Sequence, residues 1–99
     1  MDIELQTRAI TVQKEQIPGI ISLNPMDVLT TDVDRKHRNR MLYLAMILGN
    51  GYKSKVQITF ESIDGPRRVE TTVWATTEKS VLLKGGVSIP VTSIYKVEY

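Results

Sequence analysis

The second half of the chain constrains the fold most. Within residues 53–99, five short segments have strand patterning, and turn residues separate them. In the first segment Val56, Ile58 and Phe60 alternate with polar residues, which is the period of two expected of a half-buried strand. A strongly apolar helical pattern directly precedes these segments. One helix followed by a tightly wound antiparallel sheet predicts a mainly β fold in which five strands form a small barrel.

Turn chemistry sets the bounds of the predicted strands. Asp64-Gly65 and Gly85-Gly86 are tight-turn signals, and Pro90 suits a strand end because it cannot donate to a ladder. The second segment is long enough to bend, and residues 91–93 read as a 3₁₀ turn before the last strand. We predict strands at 53–61, 67–75, 80–84, 87–91 and 94–99.

The helix is predicted over residues 32–48. Thr30, Thr31 and Asp32 offer N-cap side chains. Asp34 adds negative charge to the first turn, and Gly49 is a typical stop. The last two turns are apolar nearly all round, so we expect burial on more than one face, either across one mouth of the barrel or against a second copy. The predicted apolar stripe consists of Val33, His37, Met41, Leu44 and Leu48.

Residues 1–31 are predicted to form an extended arm in front of the helix and barrel, which occupy residues 32–99 of a single domain. Ile3, Leu5 and Thr7 alternate with polar residues, and Ile17-Pro18-Gly19 is a turn signal. Two interpretations of the arm remain open. It covers an open edge of its own barrel, which we favour, or it adds to a neighbouring subunit.

Three segments carry a resemblance to known proteins: Lys-His-Arg-Asn-Arg at 36–40, Glu-Thr-Thr-Val-Trp-Ala-Thr-Thr-Glu at 70–78 and Leu-Lys-Gly-Gly-Val-Ser-Ile-Pro at 83–90. Across about the last two-thirds of the chain, they resemble a group of short uncharacterised bacterial proteins. The closing half resembles an SH3-like or Sm-like barrel. The Asp-x-Φ-x-Asn loop of Sm proteins is missing from the sequence, so the resemblance implies a fold and no RNA-binding site.

Charge is segregated along the chain. Residues 1–34 carry a net charge of −4, residues 35–55 a net charge of +6, and residues 56–99 are balanced. A cationic block of this kind is able to contact phosphates. The other interpretation, which we favour, is a solvated face paired with Asp32, Asp34 and the acids of the arm. The candidate binding residues in the block are Arg35, Lys36, Arg38, Arg40, Lys53 and Lys55.

Trp74 is the remaining candidate binding residue, because it falls on the polar face of its predicted strand. An exposed indole there would serve as a stacking platform or as a hot spot for a protein partner. Large aromatic side chains are usually well buried. We therefore favour a bent strand in which Trp74 caps the core or packs under the helix.

Several classes of function lack the residues they need. The chain has no cysteine and one histidine, His37, so neither a metal site nor a catalytic triad is expected, and no phosphate-binding loop occurs. The longest apolar run, residues 41–48, is too short for a membrane span. We expect a soluble cytoplasmic protein without catalytic residues, cofactor, small-molecule substrate or membrane partner.

Two hypotheses for the function follow. The first is a non-enzymatic interaction module that binds a protein or assembles with itself, and it is based on the excess of apolar helix surface. The second is binding of RNA or single-stranded DNA through the cationic block and the barrel face.

Overall fold

The computed structural model describes residues 9–22 and 24–99. This part of the chain contains seven β-strands, one α-helix and two 3₁₀ helices. The strands are β1 (Ile10–Thr11), β2 (Val56–Ser62), β3 (Gly65–Thr71), β4 (Val73–Thr76), β5 (Ser80–Leu83), β6 (Ser88–Pro90) and β7 (Ile94–Glu98). The α-helix, α1, spans Asp32–Tyr52, and the 3₁₀ helices span Lys14–Gly19 and Val91–Ser93.

The strands form two sheets. One contains four strands in the order β1-β3-β2-β7, and the other contains three in the order β4-β5-β6. Only Thr72 separates β3 from β4, so the predicted long bent strand crosses there from one sheet to the other. The mainly β fold with one helix before the antiparallel strands is confirmed. Among the described residues no ladder joins β6 to β7, so the strands do not close into the expected barrel.

The core lies between the sheets and beneath α1. Val56, Ile58 and Phe60 are all buried, as the alternation in β2 predicts, but Thr59 on the other face of the strand is also buried. Burial of each side chain of this size contributes about 1.5–3 kcal/mol, so the alternation decides which face of the strand turns inward. The core cluster comprises Ile17, Leu42, Ala45, Val56, Ile58, Phe60, Val69, Val73, Val81, Leu83, Ile89, Val91, Ile94 and Val97.

The described part of the N-terminal arm packs on its own chain. β1 pairs in parallel with β3, and the amide of Val12 donates to the carbonyl of Arg68 over 2.8 Å. The predicted turn at Ile17-Pro18-Gly19 forms the end of a 3₁₀ helix whose Ile17 is fully buried. This placement follows the interpretation in which the arm covers an edge of its own sheet. The predicted alternation at Ile3, Leu5 and Thr7 lies outside the described residues.

The helix is longer than predicted, because Gly49 does not end it. α1 begins after Thr31, whose hydroxyl accepts from the amide of Asp34 over 3.2 Å, and continues to Tyr52. It ends where Lys53 adopts the left-handed conformation at φ 55°. Gly49 lies inside the helix at its closest approach to β4. No helix among the described residues is both long and apolar enough to span a membrane.

Candidate interaction surface on the helix

The buried side of α1 differs from the predicted stripe. The buried positions of the helix are Arg38, Leu42, Ala45 and Gly49. Of the predicted stripe, Val33, His37 and Leu44 are exposed, and Met41 and Leu48 are only partly buried. The prediction was wrong in its rotation, because it treated Arg38 as a solvent-facing residue.

Arg38 is buried by an ion pair that holds the start of the helix to the fold. Its side chain is 3% exposed and donates two hydrogen bonds to Asp27, from Nη1 to Oδ1 over 2.7 Å and from Nη2 to Oδ2 over 2.8 Å. Nη1 also donates to the carbonyl oxygen of Ile94 over 3.1 Å, and Nε donates to Asn39 over 3.1 Å. Such a bidentate pair satisfies a charge that would be costly to bury alone.

Arg35 belongs to the same cluster. Its Nε donates to the carbonyl of Leu29 over 2.9 Å and lies 3.8 Å from Oδ2 of Asp27, while Nη1 lies 3.4 Å from Oδ1 of Asp32. Burial raises the pKa of Asp27, but hydrogen bonds from Arg38 and the Leu29 amide, with the two guanidinium charges, outweigh it and lower the pKa overall. Arg35 and Arg38 therefore have structural partners within the chain.

The opposite side of α1 faces solvent. An α-helix turns by about 100° per residue, so six exposed residues fall within an arc of about 100° facing away from the core. We call this set the outer face: Val33, Lys36, Arg40, Tyr43, Leu44 and Ile47. Tyr43, Leu44 and Ile47 are 54%, 37% and 44% exposed, and they form an apolar patch one turn beyond the two cations.

The candidate cations do not form one continuous surface. Lys36 and Arg40 are one helical turn apart on the outer face, and neither has an ion-pair partner among the described residues. Lys53 and Lys55 are also exposed, but they follow the far end of the helix. At 1.5 Å per residue, Lys53 lies about 20 Å along the axis from Arg40.

Trp74 is 42% exposed, whereas we favoured an indole that caps the core or packs under the helix. The pairing of β4 with β5 shifts between Val73 and Ala75, which leaves Trp74 as the extra residue of a β-bulge. Bulges re-aim the side chain of the extra residue. Its neighbour Val73 is fully buried, and the Val73 carbonyl lies directly against Gly49 of α1. Trp74 therefore belongs to the strand that packs against the C-terminal half of the helix.

A shallow cleft of 340 Å³ lies next to Tyr43. Asn39, Leu42 and Tyr43 line it from the helix. The other side is lined by Thr76 at the end of β4, by Thr77 and Glu78 in the turn that follows, and by Val91. The cleft places Tyr43 at the border between the outer face and the sheet. It offers a partner both an apolar wall and polar side chains.

Two tyrosines of the C-terminal strand have structural roles. Burial, followed by the hydrogen bond and the charge of Glu61, raises the pKa of Tyr95 to about 12, and its hydroxyl donates to Oε1 of Glu61 over 3.0 Å. The hydroxyl of Tyr99 donates to the carbonyl of Met41, and burial raises the pKa of Tyr99. These contacts tie the end of the chain to β2 and to α1.

The described residues contain no group of histidine, aspartate and glutamate side chains that could hold a metal ion. His37, the one histidine of the chain, is exposed on α1. The outer face of α1 presents apolar, aromatic and cationic side chains.

Sequence reasoning named Lys36, Arg40 and Trp74, but it missed Leu44 and Ile47 as surface residues. A signal was present in the small residues Ala45 and Gly49, which are four positions apart and so share one side of a helix. Small side chains at that spacing mark a face that packs closely against a neighbour. The outer face is the side opposite them.

Comparison with known proteins found no matching family model, no matching curated protein and no matching solved structure.

Proposed function

We propose that this chain is a non-enzymatic interaction module that binds a protein partner through the outer face of α1. One observation carries the proposal: Tyr43, Leu44 and Ile47 expose apolar surface side by side on a helix whose other side is packed. Tyrosine is among the residues that supply most of the binding energy at protein interfaces, and apolar neighbours help to exclude water around it. Self-assembly through the same face is the other form of this function.

The strand order supports an SH3-like or Sm-like arrangement for the module. β2 and β3 form a hairpin in one sheet, β4, β5 and β6 form a meander in the other, and β7 returns to pair with β2. A 3₁₀ turn, Val91–Ser93, joins β6 to β7, as the sequence predicts. Kinship with the short bacterial proteins, and a cytoplasmic location, stay predictions.

A peptide-display selection tests the proposal. Random 16-residue peptides are selected on the wild-type chain and screened against the variant Tyr43→Gln/Leu44→Gln/Ile47→Gln. Ile63→Gln is the matched control, since Ile63 is an exposed apolar residue in the β2–β3 turn. We expect enriched peptides to bind wild type and the control alike and to lose about tenfold or more of their affinity for the triple variant. Enrichment that survives in the triple variant contradicts the proposal.

Binding of single-stranded nucleic acid is the second candidate function. Lys36 and Arg40 are free to contact phosphates, and Trp74, the only tryptophan, is exposed enough to stack on a base. Trp74 emission is followed during titration with mixed-sequence RNA and DNA of 20 nucleotides at about 50 and 200 mM salt. Quenching that weakens steeply with salt and disappears in Lys36→Glu/Arg40→Glu supports this function. Unchanged emission at the lower salt contradicts it.

A further inference from the structure

We propose that the partner of the outer face is an acidic amphipathic helix, aligned along α1 with two carboxylates against Lys36 and Arg40. This inference rests on the proposed function and adds the chemistry of the partner. The apolar stripe of the partner would cover Tyr43, Leu44 and Ile47.

Charge complementarity carries the first step. Lys36 and Arg40 are exposed cations one turn apart, unpaired among the described residues, and they continue the line of the apolar patch. The other two arginines of the basic run, Arg35 and Arg38, are held by Asp27 and Asp32. The two free cations thus select for carboxylates at one end of the partner, and the apolar patch selects for aliphatic side chains at the other.

The dimensions of the outer face fit a helix. Val33 and Ile47, its end residues, are separated by about 21 Å along α1, which is the length of about 14 residues of a second helix. Its residues follow the helical spacing of three and four, so they form the ridges into which a partner helix packs at 8–10 Å between axes. Carboxylates at positions i and i+4 of the partner would match the spacing of Lys36 and Arg40.

The same geometry disfavours a second copy. Arg40 is the midpoint of the outer face between Val33 and Ile47. In a two-fold pair with full overlap, parallel or antiparallel, Arg40 of one copy therefore meets Arg40 of the other. Like charges facing each other across an interface are costly. A symmetric contact that avoids this repulsion would use only the apolar half of the face, little more than one turn of helix.

Two synthetic 16-residue helical peptides test the inference by fluorescence anisotropy. Both carry the same leucine stripe, and they differ in having either two glutamates or two lysines one turn apart. The glutamate peptide is expected to bind the wild-type chain and to lose about tenfold or more of its affinity for Lys36→Glu/Arg40→Glu. The lysine peptide should show the reverse preference. The matched control is Lys79→Glu/Lys84→Glu, which makes the same charge change at exposed lysines outside α1 and should leave both affinities unchanged.

The other outcomes overturn the inference. One such result is that the wild-type chain binds both peptides equally well, and another is that the test and control double variants lose the same affinity for the glutamate peptide. Either result would mean that Lys36 and Arg40 do not select the partner. If neither peptide binds while the display selection yields peptides without acids, the inference fails and the proposed function stands. If the display selection also yields none, the proposed function fails. The chain could instead sediment as a dimer, or bind RNA or anionic vesicles. If Lys36→Glu/Arg40→Glu abolishes such an association, the outer face is the binding site for that occupant and not for an acidic helix.

Discussion

Replacing Gly49 with alanine tests how closely α1 packs against β4. A Cβ built on Gly49 would lie 2.3 Å from the carbonyl oxygen of Val73 and 3.0 Å from Cγ2 of Thr72. A carbon and a carbonyl oxygen normally approach no closer than about 3.3 Å. The helix and the strand would therefore have to separate by about 1 Å, and the Val73 oxygen belongs to the backbone and cannot rotate away.

The expected cost follows from two opposing effects. Overpacking of a well-packed contact costs about 1–3 kcal/mol, and an immobile backbone neighbour places Gly49→Ala at the upper end. Alanine recovers about 1 kcal/mol, because it favours a helix more than glycine does. We expect a net loss of about 2 kcal/mol in the free energy of unfolding, which corresponds to a fall of about 10 °C in Tm for a domain of this size.

Gly51→Ala is the matched control in the same helix. No atom lies within 4 Å of a Cβ built there, so only the helix preference remains and the free energy of unfolding should rise by about 0.5 kcal/mol near the helix end. Urea unfolding is followed by Trp74 emission and by far-ultraviolet circular dichroism. We expect the two substitutions to change the free energy of unfolding in opposite directions. If Gly49→Ala is as stable as wild type, the close approach of α1 to β4 is refuted.

Three further predictions concern stability. Asp27→Asn should destabilise the fold by about 3 kcal/mol at pH 7, because it leaves Arg38 buried without a counter-charge. Since folding lowers the pKa of Asp27, its contribution is present above the unfolded value of about 3.9 and is lost as the pH falls through the folded value. Urea unfolding from pH 7 to 2 should therefore show the gap between wild type and Asp27→Asn closing below about pH 4, and a constant gap would contradict the assignment. The pKa of Tyr95, about 12, predicts that its contribution is present below the unfolded value of about 10 and is lost as the pH rises through about 12. In a pH titration followed by tyrosinate absorbance, the ionisation near pH 12 should be absent from Tyr95→Phe. In Glu61→Gln it should occur at lower pH, because the hydrogen bond and the charge of Glu61 are gone. Thr31→Ala removes the N-cap of α1 and should cost about 1 kcal/mol by urea unfolding, whereas an unchanged midpoint would mean that the cap is not formed.

The local parts of the fold could be predicted from the sequence. The alternation in β2, the turns at Gly65 and Gly85-Gly86, and the 3₁₀ turn before β7 each depend on residues within a few positions of one another. Both glycines of the Gly85-Gly86 turn have positive φ, a conformation that costs glycine little. Patterns of this kind follow from local conformational preferences, so they can be recognised without knowledge of the rest of the fold.

The long-range parts could not be predicted in the same way. The crossing between sheets at Thr72 depends on how the strands twist together, and no local signal marks it. Gly49 carries the signal of a helix stop, since glycine commonly follows a helix end. In this chain it serves instead to bring α1 against the backbone of β4, which is a requirement set by a residue 24 positions away.

The basic run shows how one distant residue decides the character of a surface. By hydropathy, the arginines at 38 and 40 are equivalent, yet Arg38 is buried and Arg40 is exposed. Asp27 precedes Arg38 by 11 positions and pairs with it on the buried side of α1, while Leu44 and Ile47 are exposed on the side that carries Lys36 and Arg40. The pair that stabilises the fold and the cations that face solvent therefore lie on opposite sides of the same helix. Substitutions at Asp27 should change stability, and substitutions at Arg40 should change binding, with little effect of either on the other property.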